Sequence, residues 1–299
     1  MVHHERCPLC ASEMISVYFK CTDHFISKEN FPVARCSSCG FLFTQDYPDE
    51  TEIHRYYESD DYISHSDTSE GIVNKIYHSI RQVMLLKKRR IIEKLTCLKR
   101  GSLLDVGSGT GHFAYMMSKS GWSVTGIEIS EKARNSSSAA FNLKIIAPGQ
   151  ISGLVAASFD CVTMWHVLEH FYDPHKYISD ILTLLKPGGI LLIALPNSGS
   201  FDAKHYGNFW AAFDVPRHLW HFDPDSFTCF SGKSGLKVER QLILPFDVFY
   251  ISLLSEKYKG ARWSFIMGIT RALWFSSLAV FNRKRSSSLI YVLRKSADQ

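Results

Sequence analysis

The sequence predicts an α/β fold: a doubly wound, mostly parallel sheet preceded by a small module held by cysteines. Three observations carry this. The stretch Leu103–Phe113, LLDVGSGTGHF, passes from aliphatic residues through an acid to glycines at every second position (Gly107, Gly109, Gly111). That is the pattern of a buried strand, a tight turn and a helix start. After it, strand-like and helix-like segments alternate as far as residue 197, which implies a parallel sheet covered by helices. Near the N-terminus, Cys7-Pro-Leu-Cys10 and Cys36-Ser-Ser-Cys39-Gly40 form a matched pair of C-x-x-C units.

Composition narrows the class. The chain has 299 residues, 45% hydrophobic and 21% charged, which excludes a disordered protein. A net charge of +5 permits an anionic partner without requiring one. Four of the eight cysteines lie in the two C-x-x-C units, a pattern of metal binding in a reducing compartment rather than of a disulfide framework. MVHHERCPLC has no apolar signal core, so a cytoplasmic protein is expected.

Residues 1–45 read as a zinc ribbon. Two knuckles, each placing two thiolates on one metal, flank the strand-like MISVYFKC and FPVARC, and Cys7, Cys10, Cys36 and Cys39 give a four-thiolate Zn²⁺ site. So short a segment needs the metal to hold it together. His3 and His4 are expected at the surface, and Cys21 as a spare thiol. Residues 46–100 read as a linker with N-terminal helices. Tyr57 or Tyr62 is a candidate lid residue. The helical pattern at 71–99 has an apolar stripe of Ile72, Ile76, Ile80, Val83, Leu86, Ile91 and Leu95, with Lys87–Arg90 as a solvated basic face.

The third region, 101–299, holds the sheet. SLLDV, SVTGIEI, LKIIA, SFDCVTMWH and ILLIALPN are its strands, KPGG a turn, and Ser130 the N-cap of the helix after the second strand. LKVERQLIL and SSSLIYVLRK are two late strands. Between them, 246–286 is an apolar insertion around WSFIMGITRALWFSSLAVF, with basic residues on both sides. Three readings compete: a buried cap over the substrate, a membrane-surface helix contacting the inner face of a membrane through 262–285, or an oligomer interface.

Glu128 closes the second strand, and Asp105, the three glycines and Glu128 together resemble the first two motifs of class I S-adenosylmethionine (SAM) methyltransferases. The spacing is G-x-G-x-G rather than the dinucleotide fingerprint G-x-G-x-x-G. The resemblance implies a Rossmann-like seven-stranded sheet closed by a late antiparallel hairpin. It implies that Asp105 serves the amino group of SAM, that Gly107 and Gly109 pass close to its methionine portion, and that Glu128 takes the ribose hydroxyls. The family's acid after the third strand is missing, and Gln150 is the candidate substitute.

The segment Trp165-His166-Val167-Leu168-Glu169-His170 resembles the M-E-M-L-E-H segment of ubiquinone-biosynthesis O-methyltransferases. That match puts Trp165 against SAM and the family's proposed divalent-ion ligands at His166, Glu169 and His170. On a helical turn these would share one face, and two imidazoles with a carboxylate suit Zn²⁺ or Fe²⁺ better than Mg²⁺. A substrate-facing base and simple bracing of the loop are the other readings. Asp214-Val-Pro-Arg-His-Leu resembles a stretch found in methyltransferases of cell-surface glycan and natural-product pathways. There His218 is a candidate base, Arg217 a candidate ligand for an anionic group, and Phe209, Trp210, Phe213 and Trp220 candidate pocket walls. The expected activity is methyl transfer to a hydroxyl, with carbon as the alternative, of a small, glycan or lipid-linked metabolite. An RNA methyltransferase that reads its target through the ribbon, and a non-catalytic SAM-binding or scaffold protein, are the rivals.

Overall fold

The computed structural model describes residues 1–57 and 72–295. Tyr62 lies outside the described residues, and the side chains of Ile72 and Ile76 are likewise outside them. In chain order the strands are β1 (Ile15–Thr22), β2 (Asn30–Cys36), β3 (Leu42–Thr44), β4 (Ser102–Val106), β5 (Ser123–Ile127), β6 (Lys144–Ile146), β7 (Phe159–Trp165), β8 (Leu185–Pro196), β9 (Trp220–His221), β10 (Val238–Ile243) and β11 (Ser288–Arg294). The helices are α1 (Ile72–Thr96), α2 (His112–Lys119), α3 (Glu131–Phe141), α4 (Pro174–Leu184), α5 (Phe201–Tyr206), α6 (Pro224–Lys233), α7 (Asp247–Tyr258) and α8 (Ser264–Phe281). The main sheet has seven strands in the order β10-β11-β8-β7-β4-β5-β6, mostly parallel with an antiparallel end. Lys186–Gly189, expected to be a turn, is the first part of β8.

The chain divides into two compact units. One comprises Met1–Ser59, Leu168–Pro174 and Ala194–Tyr291; the other comprises Asp60–Val167, His175–Ile193 and Val292–Gln299. In the second unit, β4 pairs in parallel with β5 on one side and with β7 on the other. The strand order therefore reverses at β4, the switch point where open α/β sheets bind ligands. Both sheet faces are covered, so β4 and β7 are nearly continuous runs of buried residues. Ser130 caps α3 as expected, accepting from Ala133 N–H at 3.3 Å.

Helix α1 departs from the expected stripe. Its inward face carries Leu85 and Ile92, both buried, with Lys88 between them, while Ile80 and Val83 are exposed. Within Lys87–Arg90 only Arg90 is exposed, so the run is a solvated face only in part. Lys88 lies over the rings of Trp165 and Phe113, at 4.1 and 5.7 Å from their centroids. Arg89 donates to Ser120 Oγ at 3.1 Å and pairs with Glu93 at 3.5 Å. An inward lysine interrupts the apolar periodicity, which shifts the apparent stripe.

In the first unit the cysteine module is not self-contained. Its antiparallel sheet runs β1-β2-β3-β9, the last strand coming from residues 220–221. Thr44 receives the splice: its N–H donates to Leu219 O at 2.9 Å and its hydroxyl to His218 O at 2.7 Å. His4 is half-buried, 3.0 Å from the Tyr47 hydroxyl and beside Phe43 and Trp220, rather than at the surface. The insertion forms a helical hairpin of α7 and α8. Gly268 allows the two helices to meet closely, because a Cβ there would lie 2.8 Å from the Leu253 Cα. Only the stripe Gly268, Ala272, Phe275 and Ala279 of α8 is buried, so the helix is not a buried cap.

Arg217 organises this unit. Its side chain is 1% exposed, and it donates to Asp214 twice (3.0 and 2.6 Å), to Asp23 (2.9 Å) and to the carbonyl of Tyr56 (2.9 Å). These contacts use the guanidinium as a structural tie, so Arg217 is not the free cation expected for an anionic substrate. The expected aromatic walls are also core: Trp210, Phe213 and Trp220 are buried, and the Trp210 indole N–H donates to Asp202 at 2.7 Å. Replacing Arg217→Met leaves two carboxylates beside each other without their cation. We expect a loss of about 3–5 kcal/mol in urea unfolding; an unchanged midpoint would show that the ion cluster does not hold the fold.

Candidate active site

The turn after β4 is built by three left-handed glycines, with φ of 68° at Gly107, 53° at Gly109 and 78° at Gly111. Gly107 is fixed by packing, since a Cβ would lie 2.4 Å from Val167 Cγ2, and Gly111 by Ser137 Oγ at 2.8 Å. Gly109 differs: among the described residues, a Cβ there would meet nothing within 4 Å. That opening, beside the end of the switch-point strand, is room for a ligand against bare backbone. The amides do not point outward as free donors. Gly107 N–H donates to Ile127 O at 2.8 Å and Gly109 N–H to Glu128 Oε2 at 2.8 Å. Glu128 Oε1 accepts from Ser130 N–H at 2.9 Å. These two amides fix the carboxylate, and its remaining lone pairs can accept from a diol.

Asp105 is buried and accepts from the Thr163 hydroxyl at 2.7 Å, across the β4–β7 register in which the two residues are partners. Burial pushes its carboxyl up to about 7, against the Thr163 hydrogen bond and the nearby Lys88, which favour the anion, while Glu128 adds to the rise. An ammonium brought to this site would return the carboxyl to its ionised form. Trp165, at the end of β7, and Phe113, in the first turn of α2, stand edge to face at 5.5 Å, with Lys88 over both rings. Ser108 Oγ and Trp165 Nε1 are buried with no hydrogen-bond partner among the described residues. Open backbone, orphaned polar atoms and aromatic faces that favour a cation fit SAM, a ligand with an ammonium, a ribose and a sulfonium. Gln150 is exposed, and its side-chain carbonyl accepts from Ala147 N–H at 3.0 Å, capping its own turn.

His166 does not share a helical face with Glu169 and His170. Its φ is 58°, in the left-handed region, and only Leu168–His170 forms a short 3-10 turn. Instead, Glu169 and His170 gather with His218 in the first unit, their ligand-capable atoms all within 4.8 Å of one another. Backbone carbonyls set both imidazoles. His218 Nδ1 is 2.8 Å from Ala212 O and His170 Nδ1 3.0 Å from Arg217 O. A carbonyl only accepts, so each Nδ1 carries hydrogen and, in the neutral ring, each Nε2 keeps its lone pair. Tyr57 also reaches His170 Nδ1 at 3.0 Å. Burial, with His218 adding to it, lowers His170 to about 4 and keeps it neutral near pH 7. His218 Nε2 lies 4.0 Å from Glu169 Oε1 and 3.9 Å from Asp214 Oδ2. Two imidazole lone pairs and a carboxylate also form a donor set suited to a borderline divalent ion.

The four ribbon cysteines converge. Cys7 and Cys39 sulfurs are 3.6 Å apart, and Cys10 and Cys36 sulfurs 3.5 Å. Sulfurs about 2.3 Å from a tetrahedral zinc stand roughly 3.8 Å apart. Each knuckle closes in the same way, with Ala11 N–H donating to Cys7 O and Gly40 N–H to Cys36 O, both residues left-handed.

Sequence reasoning missed Lys88, Thr163 and Asp214. A lysine three residues after Leu85 and four before Ile92, and a threonine inside an apolar strand, were the signals available.

The fold, the glycine turn and the acid after β5 define a class I SAM-dependent methyltransferase. Over residues 77–241, more than half of its length, the sequence matches the family described as a methyltransferase domain, and the chain belongs to that family. The Ubiquinone biosynthesis O-methyltransferase of Chromobacterium violaceum is 27% identical over 165 residues, 53% of this chain and 66% of that protein. Its counterpart in Coxiella burnetii is 33% identical over 138 residues, 44% of this chain and 57% of that one. The chain thus spans less than two thirds of the length of these relatives. Among solved structures, a SAM-dependent methyltransferase from Archaeoglobus fulgidus superposes with a TM-score of 0.50 at 18% identity, covering 72% of this chain and 94% of that one, a likeness of fold.

Calorimetric titration with SAM should show affinity falling at least about tenfold in Glu128→Ala, given the charged hydrogen bonds lost. Unchanged affinity would remove Glu128 from the cofactor site.

Proposed function

We propose that this chain transfers a methyl group from SAM to a hydroxyl oxygen of a small, glycan or lipid-linked metabolite in the cytoplasm, with His218 as general base. The observation that carries the reading is the setting of His218. Its Nδ1–H is held by Ala212 O, which leaves Nε2 basic, and two carboxylates stand within 4.0 Å of that nitrogen. They would stabilise the imidazolium formed when Nε2 accepts a proton. The likeness to ubiquinone-biosynthesis O-methyltransferases supports oxygen as the acceptor atom.

When bound, SAM supplies an electrophilic methyl on a sulfonium. Asp105 would receive its ammonium and Glu128 its ribose, with Gly109 leaving room for the methionine portion and Trp165 and Phe113 offering ring faces. His218 Nε2 would take the proton released by the acceptor hydroxyl when its oxygen accepts the methyl group from sulfur. Most of the acceleration would come from positioning, with the base adding about 10²–10⁴. In this reading Glu169 holds charge beside the base and His170 orients the cluster; a divalent ion on the same two and His218 would be an alternative to this role, because it would take the Nε2 lone pair.

Labelled SAM incubated with separate lipid, glycan and RNA fractions tests the acceptor class. Label is expected in a lipid or glycan fraction, with kcat falling about 10²–10⁴-fold in His218→Asn and SAM affinity unchanged. Label confined to RNA would overturn the assignment. We also propose structural zinc on Cys7, Cys10, Cys36 and Cys39. Elemental analysis of the purified protein should find about one zinc per chain, lost in Cys36→Ser. Because β3 holds the backbone at His218 and Leu219, methyl transfer should fall in the same variant.

A further inference from the structure

We propose that the outward face of α8 docks the protein onto an anionic lipid bilayer, lying along its surface rather than crossing it. Among the described residues, Ser264–Phe281 is the one helix long and apolar enough to span a membrane, yet only 22% of it is buried. Its buried stripe packs against α7, with Gly268 pressed on the backbone of Leu253. The opposite face presents Ile266, Leu273, Trp274, Val280 and Phe281, with Trp263 just before the helix, each more than half exposed.

The polar groups among these apolar side chains are already satisfied. The Thr270 hydroxyl donates to Ile266 O at 2.6 Å and the Ser277 hydroxyl to Trp274 O at 2.7 Å, back onto the helix itself. Such hydroxyls enter an apolar medium at little cost. Tryptophans at a helix end and mid-face are the side chains that favour the headgroup level.

Charge selects the partner. Residues 257–285 contain seven Lys and Arg and no Asp or Glu. Lys257, Lys259 and Arg262 precede the helix, Arg283 and Lys284 follow it, and all five are exposed. Arg271, also exposed, lies toward the buried stripe rather than at the centre of the apolar face. An apolar strip between cations matches anionic headgroups above acyl chains. A second copy would bring the same positive charges against their like. Keeping α8 on α7 retains the Gly268 contact, which a spanning helix would have to give up.

The inference is independent of which acceptor is methylated, and its test needs no substrate. The full-length chain should co-sediment with vesicles of phosphatidylglycerol mixed with phosphatidylcholine, and at least roughly tenfold less with phosphatidylcholine alone. Binding should shift tryptophan emission to the blue. Trp274→Ser with Phe281→Ser, and separately Arg283→Glu with Lys284→Glu, should each lower binding by roughly tenfold or more. Both variants should keep SAM affinity, which shows that they fold. Equal binding to both vesicle types, no binding to either, or a stable dimer in sedimentation velocity that Trp274→Ser with Phe281→Ser turns monomeric would each overturn the proposal.

Discussion

The first unit depends on one buried cation. Arg217 joins three segments distant in sequence: the loop after β1 through Asp23, the segment ending at Tyr56, and its own loop through Asp214. Taking a guanidinium and two carboxylates out of water is costly, and the cluster persists because nearly every charged atom has a partner. Asp23 also accepts from the amides of Phe25, Ile26 and Ser27 at 3.0, 3.2 and 2.8 Å. Burial alone would raise both carboxyls. Arg217, with these amides at Asp23, overrides it, so Asp23 titrates below its ordinary range and Asp214 at about 2. Both acids stay ionised at neutral pH, and the geometry is fixed.

The consequence reaches the candidate base. The carbonyl of Arg217 sets the His170 tautomer, the next residue is His218, and Asp214 serves both Arg217 and the imidazole of His218. A residue that the sequence offers as a ligand for an anionic group thus orders the residues that would act on the substrate. The ribbon contacts the same loop. Thr44 donates to His218 O and stands 3.0 Å from His221 Nε2, and β3 pairs with β9. Its hydroxyl proton is taken by the carbonyl, so it accepts from His221, whose burial keeps that ring neutral. A four-cysteine module at the N-terminus is therefore a brace for residues 218–221 as well as a structural unit.

Where a segment's role is local, the sequence showed it. LLDVGSGTGHF, Glu128, the Ser130 cap and the alternation of strands and helices follow from periodicity and turn chemistry, and they appear in the structure at those positions. The two C-x-x-C units converge for the same reason. Roles that depend on distant partners were hidden. Arg217 and His218 are neighbours in the chain, and nothing in the string distinguishes a guanidinium neutralised by Asp23 from one free to bind phosphate. His166 fits a helical i, i+3 pattern on paper, but its left-handed backbone breaks the turn before Glu169. Lys88 looked solvated because it sits in a basic run, whereas the inward side of α1 is defined by Leu85 and Ile92.

The glycine turn shows how one motif divides its labour. Three glycines of similar φ answer to different constraints: Gly107 to Val167, Gly111 to Ser137, and Gly109 to no atom within 4 Å among the described residues. Two make the strand-to-helix turn pack. The third leaves backbone exposed where β4 meets β7, with its amide turned to Glu128 rather than toward the opening. At these residues a SAM molecule would be read less by amides than by space, by a carboxylate held between two amides, and by an acid whose burial makes it ready to ionise when an ammonium arrives. That division explains why a spacing other than the dinucleotide fingerprint is no defect here. A pyrophosphate needs free amides at a helix start, whereas a sulfonium ligand without phosphate needs room and negative charge.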